Sequence, residues 1–279
     1  KKAEFVLADA VRSGTIGHML PLYDYEDALA WTPQYLKRAY PAQLTADVQL
    51  IAERFKNLVA RQIWERALTD TEVSIDGSTV GFSPGWAIGS GTNINYIPPQ
   101  YGNNVFSSSH THYLYKDDST ADWGDLLTDM VAELRHHGIG GRLVCFISGE
   151  DVSEWVALET FVELNPRDVM LIAGNANAPI RAAAGEFEGM PGELIGYVKD
   201  VRGLVELRYD DRIPTNYCFL TRTYGSNNPQ NALAVRIEED SGFGLRVTPL
   251  LKNSLNPELD MVLFEAAHGV GVNDRLKGV

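Results

Sequence analysis

Of the six histidines in the 279-residue sequence, four fall in two close pairs, His110-x-His112 and His136-His137. Spaced two apart, His110 and His112 would present both imidazoles on one face of a strand, an arrangement that suits a divalent transition metal. No paired cysteines, no His-Glu-x-x-His and no third carboxylate at ligand spacing go with them. The expectation is therefore that no metal is held. His136 and His137 have a simpler account, since a cationic side chain is favoured at a helix C-terminus. A metal-dependent hydrolase using His110 and His112 with a carboxylate such as Asp117 is the enzymatic alternative.

Other motifs lead nowhere catalytic. Gly89-x-Gly91 and Gly138-Ile-Gly-Gly141 resemble pieces of phosphate-cradling loops. Neither completes Gly-x-Gly-x-x-Gly after a strand, and no Gly-Lys-Ser/Thr follows, so turn chemistry explains both. Ser148 stands where a helix cap belongs rather than in a Gly-x-Ser-x-Gly elbow. Asp117-Asp118, Asp210-Asp211 and Glu238-Glu-Asp240 are acidic clusters with the donors for a cation, but adjacent carboxylates on turns are ordinarily just solvated. No catalytic and no cofactor-binding residue is assigned. Cys145 and Cys218 each lie in an apolar run, where a thiol packs as a small core residue.

Lys plus Arg number 24 and Asp plus Glu 37, a net charge of −13, the wrong sign for a protein that lives by gripping phosphates. The imbalance is local: residues 71–160 carry 12 acids against Lys116, Arg135 and Arg142, whereas residues 1–70 carry nine of each sign. With 44% hydrophobic and 22% charged residues, the chain has the composition of a folded domain that buries its own core. No apolar stretch nears the ~20 residues of a bilayer span, and the front, Lys1-Lys2-Ala3-Glu4, lacks the apolar block of a secretory signal. A cytosolic origin with no membrane partner is expected. The chain starts at Lys1 rather than methionine, as it would after trimming or removal of a leader.

Several elements must position these residues. Residues 1–44 read as an irregular arm, broken by Gly14, Gly17, Pro21, Pro33 and Pro41, with aromatics that need a surface to lie on. Val48, Ile51, Phe55, Leu58, Val59 and Ile63 recur at helical spacing and predict a helix over 46–68 capped by Thr45. The glycine- and asparagine-rich stretch 71–115 predicts a long hairpin, from a strand at Val73–Gly77 to a return at Phe106–Leu114. An isolated hairpin is marginal in water, so it must lie against another surface. Trp123, Leu126, Leu127, Met130, Val131 and Leu134 mark a helix from Asp122 to Gly138. Leu143–Ile147 follows as a buried strand, then a helix carrying Val152, Trp155, Leu158 and Phe161. Beyond Asp168, short strands are expected at 169–173, 193–198, 204–209, 216–220, 232–237, 244–247 and 261–268, with a helix around 178–188.

Arm, helix, long hairpin, amphipathic helix, strand, helix and then a β-rich half: this order resembles the major capsid proteins of tailed bacteriophages, whose Hong Kong 97-like fold is also that of encapsulin shells. Trp123 to Gly138 running into Arg142-Leu-Val-Cys-Phe-Ile-Ser148 is similar to the family's helix, glycine, strand passage. Met261-Val-Leu-Phe-Glu-Ala-Ala-His-Gly-Val-Gly-Val-Asn-Asp-Arg275 is similar to its closing strand.

The resemblance implies an α+β fold divided into an N-terminal arm (1–44), a helix (45–70), an extended loop (71–115), a peripheral domain with Asp122 to Gly138 as spine helix (116–169), an axial domain (170–250) and a return to the peripheral domain (251–279). It implies a non-enzymatic subunit that assembles into hexamers and pentamers of an icosahedral phage head around double-stranded DNA. An encapsulin-like compartment is the alternative. The expected partners are other copies of the chain, with scaffold, portal and decoration proteins, and packaged DNA held without sequence-specific contacts. The expected location is the virion, after assembly in the host cytoplasm, and no cofactor is implied. Trp86, Ile94, Tyr96, Tyr101 and Phe106 on the loop become candidates for contact between subunits. Some family members cross-link through a lysine on this loop, but no lysine lies between Lys56 and Lys116 here.

Overall fold

A computed structural model of the chain describes residues 20–74, 82–83, 86, 97–107, 109–117, 122–163, 192–200, 202–225, 228–239, 242–250 and 259–279. Ile94 and Tyr96, the strand expected at 169–173 and the helix expected around 178–188 lie outside the described residues.

Residues 1–19 of the expected arm lie outside the described residues, and residues 20–44 hold regular elements. Tyr-Asp-Tyr-Glu-Asp-Ala-Leu-Ala-Trp forms strand β1 (Tyr23–Trp31), in which Tyr25, Asp27, Leu29 and Trp31 are the half-buried, alternate positions. Period-two alternation is the mark of a strand with one covered face. Thr32 then caps the short helix α1 (Pro33–Leu36), accepting the Tyr35 N–H at 3.1 Å.

Helix α2 (Pro41–Leu68) begins four residues before the expected cap. Pro41 takes the first helical position, where its missing N–H costs nothing, and the Gln43 side chain accepts the Tyr40 N–H at 3.0 Å. Thr45, expected as the cap, instead donates its hydroxyl to the Pro41 carbonyl one turn back.

Much of the predicted long hairpin, residues 75–81, 84–85 and 87–96, lies outside the described residues. Its described ladder is strands β2 (Val73–Ser74) and β3 (Phe82–Ser83), two residue pairs long. The expected return at Phe106–Leu114 is not a strand but an irregular run packed on its own subunit, with His112 fully buried and Leu114 against the main core. Packing against the subunit's own helices and sheet supplies the burial that a free hairpin would lack.

Helix α3 (Trp123–His136) forms as expected, with Asp122 accepting the Asp125 N–H at 2.9 Å and Gly138 leaving it at φ +82°. Strand β4 (Leu143–Ile147) is buried at every position. The following helix α4 (Val152–Val156) is one turn and a half, and Phe161 opens strand β5 (Phe161–Glu163) instead of continuing it. Strands β6 (Glu193–Asp200), β7 (Gly203–Tyr209), β8 (Cys218–Arg222), β9 (Leu233–Ile237), β10 (Arg246–Leu250) and β11 (Asp260–Val272) complete the described elements.

Two sheets result. The five-stranded sheet runs β5-β6-β7-β4-β8, with β4 and β7 parallel and the other pairs antiparallel. Alternate side chains of β4 serve two cores. Leu143, Cys145 and Ile147 meet Leu127, Met130, Val131 and Leu134 of α3. Val144 and Phe146 meet Trp64 and Ala67 of α2 on the opposite face, together with Trp86 and Phe219. The second sheet is built on β11, with β1 along one edge and β10 and β9 end to end along the other, all antiparallel. Among the described residues no helix is long and apolar enough to cross a membrane.

Candidate functional site

The two histidine pairs meet. The last turn of α3 carries Glu133 and His136, three apart and therefore on one face, and His137 follows as the C-cap. The irregular run lays His110 and His112 against them. His137 Nε2 lies 2.8 Å from His110 Nε2 and 3.0 Å from both His112 Nε2 and His136 Nε2. Glu133 Oε1 lies 3.2 Å from His110 Nε2 and from His136 Nε2.

The surroundings fix this geometry. His112 Nδ1–H donates to the Gly278 carbonyl at 2.8 Å, so its Nε2 lone pair is the one aimed at the cluster. Asn104 donates its side-chain amide to the His136 carbonyl at 2.9 Å. The Phe106 ring stacks on His137 with centroids 4.2 Å apart and also borders His110 and His136. A side chain at Gly138 would run into the Tyr101 ring, so the glycine both turns the chain and seats that ring beside the helix end.

Burial dominates the electrostatics. It pulls His137 down to about 3, with the neighbouring His112, His136 and His110 adding to the effect, and His112 down to about 4. His110 and His136 are also lowered, first by burial. The same burial pushes the Glu133 carboxyl up to about 7, with Asp129 adding. The view of His136 and His137 as solvated cations at a helix end is therefore corrected: the rings turn inward, where a positive charge loses its water.

His110, Glu133, His136 and His137 place four ligand atoms within 4.8 Å of one another. Sequence reasoning placed Asp117 as the accompanying carboxylate; the residue in the cluster is Glu133. Its signal was present in the Glu133-x-x-His136 spacing, which puts both groups on one helical face.

The loop residues expected to touch a neighbouring subunit take different places. Trp86 is 1% exposed, stacks on Phe219 at 5.2 Å and donates its indole N–H to the Ala67 carbonyl at 2.8 Å, which leaves no surface for a neighbour. Tyr101 is more than half exposed, and Phe106 is half-buried over the histidines.

Elsewhere several buried charges are paired. Both oxygens of Glu206 are taken, Oε1 by Arg208 at 3.1 Å and Oε2 by Arg142 at 2.6 Å. Arg275 meets Glu72 at 3.0 Å. Cys145 and Cys218 are free thiols in adjacent strands, and burial holds the Cys145 thiol well up.

No protein-family model matches the sequence, and no curated protein compared with it does. Solved structures do match. A chain of Mycobacterium phage Patience is 20% identical, with a TM-score of 0.66 over 99% of this chain and 77% of that one. A chain from the capsid of Ralstonia phage GP4 is 13% identical, with a TM-score of 0.53 over 93% of this chain and 72% of that one.

Proposed function

The chain has an α+β, Hong Kong 97-like fold, and from that premise we propose that it is a major capsid protein, assembling into hexamers and pentamers of an icosahedral phage head around double-stranded DNA. The observation that carries the reading is the likeness to the phage GP4 capsid chain over 93% of this sequence. An open edge adds to it: among the described residues the nine-residue β1 is paired on one side, with β11. An unpaired edge of that length is a ready template for another chain. The charge of −13 suits a container that encloses DNA without holding it fast.

In this reading Asp122 to Gly138, with α3, is the spine helix, and the longer α2, 28 residues against 14, leads into the extended loop and spans about 42 Å at 1.5 Å per residue. The role is structural rather than catalytic, the site is the virion, and scaffold, portal and decoration proteins are its further partners. Light scattering and negative-stain microscopy of the purified protein under assembly conditions test it. Closed shells are expected, and a stable monomer or small oligomer would overturn the reading. Absorbance of shells made in cells separates a DNA-filled head from an empty compartment. Shells that never hold nucleic acid would refute the head and leave an encapsulin-like container.

A further inference from the structure

We propose that His110, His136, His137 and Glu133 form a binding site for one divalent first-row transition metal, Zn2+ foremost, that ties the end of α3 to the run before it. The cluster holds more close contacts than its hydrogens can bond. A neutral imidazole nitrogen has either one N–H or one lone pair, in the plane of the ring. His137 Nε2 has three other Nε2 atoms within 3.0 Å, so at most one of these contacts is a good hydrogen bond. The remaining contacts are close approaches without a hydrogen bond of their own. Glu133 Oε1 is buried with no hydrogen-bond partner, although such groups are nearly always satisfied.

A cation at the centre turns each converging lone pair into a bond. With metal–nitrogen distances of about 2.0–2.1 Å, the edges of a tetrahedral site measure about 3.3 Å. Four of the six distances among the ligand atoms run from 2.8 to 3.2 Å and all six lie within 4.8 Å, so the short edges must spread as the rings shift to admit the ion. Three imidazoles and one carboxylate suit zinc and its neighbours, whereas Mg2+ and Ca2+ ask for a cage of oxygens.

Four protein ligands close the coordination shell, so the site is a structural tie and not the open centre a hydrolase needs. His112 stands beside it, with its Nε2 fixed towards His137 by the bond to Gly278, and links the site to the middle of β8 through the backbone pairing of Val279 with Leu220. Glu133 brings a negative charge to offset part of the ion's.

The test is metal content and affinity on the purified full chain, in whatever assembly state it adopts. Elemental analysis after dialysis should find about one zinc per chain, and Co2+ should give the intense visible bands of a tetrahedral site. His136→Asn is the mildest ligand change, because His136 is the most exposed of the four, at 29% of its side chain. It should weaken binding at least about tenfold while leaving the circular dichroism unchanged. His268→Ala, at a histidine outside the cluster, should leave both stoichiometry and affinity as they are. The inference is overturned if the wild-type chain takes up no Zn2+ or Co2+, if Co2+ bound is octahedral, or if a folded His136→Asn binds as tightly as the parent.

Discussion

Two polar clusters lie inside this molecule, and they are settled in opposite ways. Glu206, Arg142 and Arg208 sit on neighbouring strands β4 and β7 or beside them, with opposite charges in contact and both carboxylate oxygens bonded. The histidine cluster joins a helix end to an irregular run, with imidazoles facing one another and Glu133 Oε1 without a hydrogen bond. A sheet ladder holds its charges in fixed register and can match them one to one. A helix terminus meeting a loop brings groups together without that discipline, and the cluster at α3 is completed only by something added.

The largest expected effect comes from breaking the matched cluster. Glu206→Ala leaves Arg208 buried without its carboxylate and should cost about 3–5 kcal/mol, read as a fall in the denaturant midpoint. A loss under about 1 kcal/mol, the value of an exposed pair, would mean that the arginines reach water and the contrast is false. Next is completion of the unmatched cluster: Zn2+ at about 100 times its dissociation constant should add about 2.7 kcal/mol to the stability of the wild-type chain. The gain should vanish in His136→Asn, and an equal gain in both would place the metal elsewhere.

Gly138→Ala sharpens the comparison at the helix end. The residue has φ +82° and a Cβ there meets the Tyr101 ring, so a cost of about 1–3 kcal/mol is expected, together with weaker zinc binding. Unchanged affinity would show that the turn does not set the cluster. Smallest is Asp122→Ala, which removes the cap at the far end of α3 and should cost about 1 kcal/mol without altering zinc affinity. Altered affinity would mean that the helix transmits the change along its length.

How much of this was legible depends on how local the cause is. The period of α3, the five apolar residues of β4 and the turn at Gly138 are local signals, and each is read correctly from the sequence. The tail from Met261 is also read as a strand, although β11 runs on to Val272. β1 is missed because the prolines at 21, 33 and 41 mask a strand whose partner is β11, at the other end of the sequence. Val152, Trp155, Leu158 and Phe161 have helical spacing, yet pairing of Phe161 with Val198 captures the last of them for the sheet. Thr45 is a good cap in isolation, but Pro41 and Gln43 start α2 earlier. The histidine cluster was half visible: both pairs stand out, while the meeting of residues 110–112 with 133–137 is a tertiary fact that no spacing encodes. Trp86 was read by its loop-like surroundings and is governed instead by the size of its apolar surface.

Strand β11 holds β1, β9 and β10 together, and Tyr23 is paired with His268. On the ribosome, the earliest of these four strands has to wait for the latest before either can close its hydrogen bonds. Contacts so distant along the chain close slowly. The sheet thus acts as a completeness check, because a nascent or truncated polypeptide lacks the keystone and cannot present the finished edge of β1 to anything else.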